Sequence, residues 1–378
     1  MTLTRPAIVF SVLIALMHGA ASVWTHPAAV LRKPGTRDLD IASRFAPIFY
    51  QALGEDPRGD YITNFDFDGD WRGDNNWNNL DDKRFPLKAY VYYSVAETVT
   101  HYFVHYAVFH PRDYKGGAVR GAILSELIRE GLKRGGKYDP TGMADEAALA
   151  HENDMEGALV VIKKNGSDLK DSRVEFVETL HHNSFARYVA GESAREFSFV
   201  RIENHSPVLY IEPKGHGIEA FFGDQKQTAR KEFLRYVFDG KAQEPSSNSI
   251  CRDVDITRCE AKVSYELVPL SVLWLKSTSS PNETYGTVCD YAEVKLSTSI
   301  KPGTEAFKSL TPGKVGCAFL GQVGGENMAR PPWGWFDRDD RSEPLGRWFF
   351  DPATRIKGDF NLDDKFSTSY VRLPFWAQ

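Results

Sequence analysis

Between residues 101 and 109 apolar side chains occupy both alternating sets of positions. Tyr102, Val104, Tyr106 and Val108 fall on one side, and Phe103, Ala107 and Phe109 on the other with His101 and His105. Successive side chains of an extended chain point to opposite faces, so this pattern predicts a central strand buried on both sides. Residues 87–109 as a whole read as one or two strands. Runs rich in β-branched and aromatic residues predict further strands at 158–162, 197–202, 207–212, 262–275 and 315–323, with a turn at Asn204-His205-Ser206. One stretch, 119–132, has helical spacing: Val119, Ile123, Leu124, Leu127, Ile128 and Leu132 make a stripe that Gly135-Gly136 ends. Ordered structure is expected to begin near residues 44–50. Residues 54–82, rich in Gly, Asp and Asn, read as a long loop.

The start of the chain has its own pattern. Arg5 precedes an apolar run at residues 8–17, and Gly19, Ala20, Ala21 and Ser22 follow. This is the layout of a secretory signal peptide over residues 1–22, too short to span a bilayer. Residues 23–43 read as an irregular leader and 44–240 as the core. Residues 240–249 (GKAQEPSSNS) read as a linker, and 250–378 as a β-rich extension packed on that core. Short aromatic strands punctuated by Gly, Pro and Asn predict a mainly β fold: an antiparallel β-sandwich with one or two covering helices. Trp333, Trp335, Trp348 and Phe349 are expected to lock the tail onto the core.

Composition narrows the setting. The four cysteines, Cys251, Cys259, Cys289 and Cys317, all lie in the last third of the chain. An even count in an exported chain predicts two disulfides, and short loops favour Cys251–Cys259 and Cys289–Cys317 among the three pairings. The formal net charge is −5, without a basic block, which argues against a nucleic-acid partner. No later apolar run is long enough for a membrane helix, so a soluble secreted or extracellular protein is expected, with the periplasm or a cell surface as variants of that location.

The densest chemistry is His151-Glu152-Asn153-Asp154-Met155-Glu156-Gly157. On a helix Glu156 would sit about 140° around the axis from His151, and the ligands would diverge. On a strand Asp154 and Glu156 share a face, and His151 joins them only if the chain turns between it and Asp154, which Asn153 tolerates. The expectation is a loop entering the strand 158–162, with His151, Asp154 and Glu156 at its mouth as ligands of a divalent metal. An imidazole with carboxylates suits Mg, Mn, Fe or Zn, whereas Ca would need further oxygens. His216, between glycines in Lys214-Gly215-His216-Gly217, is accessible in principle and is a further ligand or catalytic candidate. The Asp-rich segment 66–76 fails the EF-hand spacing, because Trp71 and Trp77 stand where a Gly and an acid are needed. Nucleophile elbow, P-loop, dinucleotide fingerprint and HExxH are all absent.

Three segments together resemble known families. Arg44-Phe45-Ala46-Pro47-Ile48, the 151–156 segment, and Pro207-Val208-Leu209-Tyr210 followed by Lys214-Gly215-His216-Gly217 resemble, in order and approximate spacing, motifs of the vacuolar-sorting "sixty-two" type proteins. The H-x-x-D-x-E pattern is also similar to the heptapeptide of the necrosis-inducing, Nep-like secreted proteins. Met155 and Asn153 depart from both patterns, and Leu149-Ala150 replace the leading Gly-His of the heptapeptide. The resemblance implies a β-sandwich in which His151, Asp154 and Glu156 hold a divalent cation with His216 nearby. Two functions follow as expectations. In one, the ion bridges the protein to a glycan, lipid headgroup or cell surface. In the other, it activates water in a hydrolase, with Glu152 or His216 as general base or acid. A structural secreted protein without metal is the third.

Overall fold

The computed structural model describes residues 35–374 apart from 115–149, 167, 192–196, 224, 226–230, 253–257, 259, 280, 300–304, 324–328 and 341. The expected signal segment, the helix expected over 119–132 and Cys259 lie outside the described residues. No helix among the described residues is long and apolar enough to cross a membrane.

The protein is mainly β. In the first half of the chain the strands are β1 (Ile48–Ala52), β2 (Tyr90–Thr98), β3 (His101–Asp113), β4 (His151–Lys163), β5 (Arg173–His181), β6 (Ser184–Ala190) and β7 (Ser198–Val200). Then come β8 (Ile202–Glu203), β9 (Ser206–Ile211), β10 (Ile218–Ala220), β11 (Glu232–Phe238), β12 (Cys251–Arg252) and β13 (Val263–Pro269). The last are β14 (Tyr285–Tyr291), β15 (Val294–Ser299), β16 (Glu305–Leu310), β17 (Gly313–Phe319) and β18 (Tyr370–Arg372). Strands β2 to β6 form an antiparallel meander. From β2 the sheet continues the other way through β13, β11, β1, β9 and β10.

The expected sandwich gives way to one nearly closed, barrel-like sheet. A sandwich keeps two separate hydrogen-bond ladders. Here β13, from the region after residue 250, lies parallel to both β11 and β2 and joins the two halves into one ladder. The ends of the sheet curl toward each other, and Phe222, just after β10, touches the rings of Tyr188 in β6 and Phe199 in β7.

Every residue of β3 is buried, as its two apolar faces require. Strand β4 starts at His151 rather than at residue 158, so the segment expected to be a loop is part of the sheet. The run 262–275 divides: the strand stops at Pro269 and a helix, Ser271–Ser279, follows, burying Leu273, Trp274 and Ser277 along one side. A helix also covers Thr36–Arg44, so ordered structure starts inside the leader expected to be irregular and runs into the first residue of the expected core.

Trp333, Trp335, Trp348 and Phe349 are almost fully buried. Trp348 donates its ring N–H to Glu178 of β5 (2.8 Å), and Arg355, also buried, pairs with Glu178, Asp337, Glu343 and Asp359. The tail is thus tied to the meander by aromatic area and by a paired buried cation. Cys289 and Cys317 form a disulfide across the β14–β17 pair, and Cys251 is disulfide-bonded as well.

His105, fully buried in β3, lies between Ser94 Oγ (3.2 Å) and the carbonyl of Trp348 (2.8 Å). Burial pulls its pKa down to about 4 against the pull of that carbonyl. The folded state therefore refuses a proton that the unfolded chain accepts below its ordinary value of 6.5. Stability from this residue is present above that pH and is lost as the pH falls toward 4, by up to about 3 kcal/mol. Urea denaturation at stepped pH should give a shallower acid slope for His105→Gln than for the wild type. Parallel slopes would show that His105 contributes nothing to acid sensitivity.

Candidate metal centre

The centre is built on β4 and begins with one backbone torsion. Asp154 stands opposite His110 and Glu152 opposite Arg112, so the ladder with β3 runs on without a slip. Between them Asn153 has φ +60°. That left-handed residue resets the alternation of the strand. Glu152 and Asn153 both face the 73–77 and 320–322 segments, while His151, Asp154 and Glu156 line a cleft on the other side. The Asn153 amide holds the turn: its Nδ2 donates to the carbonyls of Gly73 and Leu320 (both 2.8 Å), and its Oδ1 accepts from Asn76 Nδ2 (2.7 Å).

The cleft encloses about 30 Å³, room for an ion or a water and little more. Asp113, His151, Asp154, Glu156, His182 and Arg330 contribute its polar walls. Asp113, at the end of β3, lies 3.4 Å from His151 Nε2. Glu156 Oε1 accepts from the backbone N–H of His182 (3.3 Å), but the buried Oε2 has no partner. Burial, and then the charge of Asp154, push the Glu156 carboxyl well above its ordinary range. For His151 burial pulls downward, yet the charge and hydrogen bond of Asp113, the charge of Asp154 and the Asn153 carbonyl together outweigh it, and the net shift is upward. Gly157 follows because a Cβ there would collide with the ring of Trp335 and the carbonyl of Tyr106.

Behind the cleft His216 is clamped between two aspartates. Its Nδ1 donates to Asp154 Oδ2 (2.8 Å), and its Nε2 lies 3.4 Å from Asp60 Oδ1. Asp60 is fixed in turn by the N–H groups of Gly54 and Lys214 (both 2.7 Å) and by the Tyr114 hydroxyl (2.8 Å). Burial alone would lower the His216 pKa, but the bonds and charges of the two aspartates hold it at about 9. At neutral pH the ring is an imidazolium. The ring of His110 stacks on it, 3.7 Å away and 7° from parallel, and burial together with the His216 charge holds His110 well below its ordinary value.

His110, Asp154 and His216 bring ligand atoms within 4.8 Å of one another. Face-to-face rings, however, project their in-plane lone pairs along parallel lines, which do not meet at one ion. His216 is therefore placed to orient Asp154, leaving that carboxylate's other oxygen for the cleft.

Glu152 lies on the far side of β4. Its two oxygens accept the backbone N–H groups of Trp77 (2.7 Å) and Gln322 (2.6 Å). It fastens two loops to the strand and does not reach the cleft. Asp113 and the His110–His216 stack were not singled out in the sequence, because both depend on register and on long-range closure. The Asp-rich 66–76 loop spends its carboxylates locally: Asp68 and Asp70 cap the backbone two residues on and bind Asn79 and Asn75.

No family model matches the chain, and no curated protein does. Solved structures do. The chain is similar to Necrosis and Ethylene inducing Protein 2 from the causal agent of cocoa's Witches Broom disease, at 16% identity and a TM-score of 0.30 over 52% of this chain and 72% of that one. It is similar to the non-toxic HaNLP3 protein at 13% identity and a TM-score of 0.29, over 64% of this chain and 78% of that one. It is also similar to NLPPya, solved in complex with mannosamine, at 15% identity and a TM-score of 0.25, over 52% of this chain and 73% of that one. The resemblance to the vacuolar-sorting proteins finds no support in these comparisons.

Asn153 gives a direct test of the local geometry. Asn153→Gly keeps the left-handed torsion but loses the three side-chain bonds, at about 2–3 kcal/mol. Asn153→Ala loses the same bonds and adds about 1 kcal/mol of backbone strain. Urea midpoints should rank wild type above Gly above Ala. Equal Gly and Ala variants would mean that the torsion carries no cost there.

Proposed function

We propose that this protein binds one divalent cation in the cleft through His151, Asp154 and Glu156 together with Asp113, with His216 as the brace that orients Asp154. The observation that carries this reading is the buried, unpartnered Glu156 Oε2 among neighbouring carboxylates. Like charges crowded in a narrow, buried cleft are unfavourable unless a cation or protons compensate them. One imidazole with three carboxylates suits Mn or Mg best, and Zn less well; Ca would need water to complete its shell.

The ion's open side would hold an oxygen-rich ligand, the hydroxyls of a glycan or the phosphate of a lipid headgroup at a cell surface. The partly open rim, with the Arg330 guanidinium, supplies hydrogen-bond donors toward such a ligand. We place this activity outside the cytoplasm, on the N-terminal segment 1–22 and the Cys289–Cys317 disulfide. The hydrolytic alternative has less support. Both Glu152 oxygens are taken by backbone N–H groups, and His216, already protonated at neutral pH, is a poor base.

Calorimetric titration of the purified chain with Mn, Mg and Ca tests the reading. One ion per chain is expected. The affinity should fall more than about 100-fold in Asp154→Asn or Glu156→Gln and about 10- to 100-fold in His216→Ala. His151 and Glu156, both raised, must shed protons to bind, so the affinity should rise from mildly acidic to mildly alkaline pH. Absence of binding with all three ions would leave a structural protein with a protonated Glu156. With the ion established, glycan and anionic-vesicle binding with and without chelator separates the two ligand sources.

A further inference from the structure

A second cluster lies where the ends of the sheet approach each other, outside the ligand set of the cleft. His181 ends β5, and His182 with Asn183 forms the two-residue turn into β6. Glu212 follows β9 across the seam. Both imidazoles donate to this one carboxylate: His181 Nε2 to Oε2 (3.3 Å) and His182 Nε2 to Oε1. One ligand atom from each of the three residues lies within 4.8 Å of the others. We propose that His181, His182 and Glu212 bind a borderline transition-metal ion of the zinc or cobalt(II) class, separate from the cation cleft and clamping the β5–β6 turn to the loop after β9.

Three further observations support a built site rather than a chance contact. The first is the backbone. His182 and Asn183 have φ +50° and +62°, the torsions of the tight turn that Asn and Gly favour. That turn sets two consecutive imidazoles on one target. The second is room made for the rings. A Cβ at Gly215 would run into His182, and one at Gly217 into His181. The two glycines of Lys214-Gly215-His216-Gly217 therefore shape the seats of both imidazoles, while the residue between them serves the cleft. The third is access: the His181, His182 and Glu212 side chains are 40%, 25% and 31% exposed, so an ion can reach them and solvent can fill a fourth position.

The donor set separates this site from the cleft. Two imidazoles and one carboxylate with an open fourth position match zinc and cobalt, whereas the cleft is rich in carboxylates and suits harder ions. To bind, the imidazole nitrogens that now face Glu212 must be free of protons, so metal uptake releases protons. The two sites touch through the His182 backbone, whose N–H donates to Glu156.

Cobalt(II) titration of the full chain followed by visible absorption, with zinc competition by calorimetry, tests the proposal. The wild type should develop the d–d bands of a nitrogen-liganded, low-coordinate cobalt ion that zinc displaces. Glu212→Gln and His182→Asn should each lower zinc affinity more than the roughly 100-fold that loss of a supporting partner costs. Asn suits the left-handed torsion at 182, so His182→Asn keeps the turn, and near-UV circular dichroism checks the fold of both variants. The double variant Asp154→Asn/Glu156→Gln should retain the cobalt spectrum even while it loses manganese. The proposal is overturned if the wild type gives no such spectrum or if the spectrum survives in both seam variants. It is equally overturned if the spectrum vanishes only in the cleft variant, which would put the ion in the cleft and leave His181, His182 and Glu212 as an ion-paired latch.

Discussion

The left-handed torsion at Asn153 is the constraint on which the candidate centre depends. Residues three apart in a regular strand face opposite sides of a sheet. His151 and Asp154 share a side because Asn153 turns the chain once without breaking its pairing to β3. The same torsion sends Glu152 and Asn153 the other way, where they take up backbone groups of Trp77, Gln322, Gly73 and Leu320. One residue thus separates the face that carries His151, Asp154 and Glu156 from a load of loop-anchoring hydrogen bonds. Each loop anchored on the far side in turn stabilises the torsion.

Closure of the sheet supplies the rest. The loop after β9 carries His216 to the back of Asp154, and Asp60 takes its other nitrogen. An imidazolium between two aspartates offsets part of the negative charge that Asp113, Asp154 and Glu156 bring to the cleft. Glu156 still sits well above the carboxylate range, through burial first and then the charge of Asp154, with one oxygen unpartnered. The stacked His110 is held well below its ordinary value by burial first and then by the same charge that it covers. The centre therefore has a fixed positive brace behind and residual negative character in front, the polarity that favours a cation entering from the rim.

Much of this was legible where local pattern decides structure. The two apolar faces of 101–109 identify a strand buried on both sides, and the tail tryptophans are buried as their size demands. The need for a turn at Asn153 follows from the spacing of His151 and Asp154 alone. What could not be read was set by pairing over long sequence distance. Strand β13 meets Tyr90–Tyr93 across nearly half the chain, and that pairing makes one ladder out of the expected two. Asp113 sits at the end of an ordinary strand and gains a role only through its register with His151. Glu152 has the composition of a catalytic base and the position of a structural clamp. The run 262–275 ends as a helix because Leu273, Trp274 and Ser277 bury at helical rather than alternating spacing.

The most direct test of a cation held by β4 is anomalous diffraction from crystals of the protein grown with manganese. A single strong peak is expected within bonding distance, about 2.0–2.3 Å, of Asp154 and Glu156 oxygens, with His151 or Asp113 completing the protein ligands. A cleft without anomalous density at saturating manganese, with Glu156 hydrogen-bonded as a neutral acid, would contradict metal binding there.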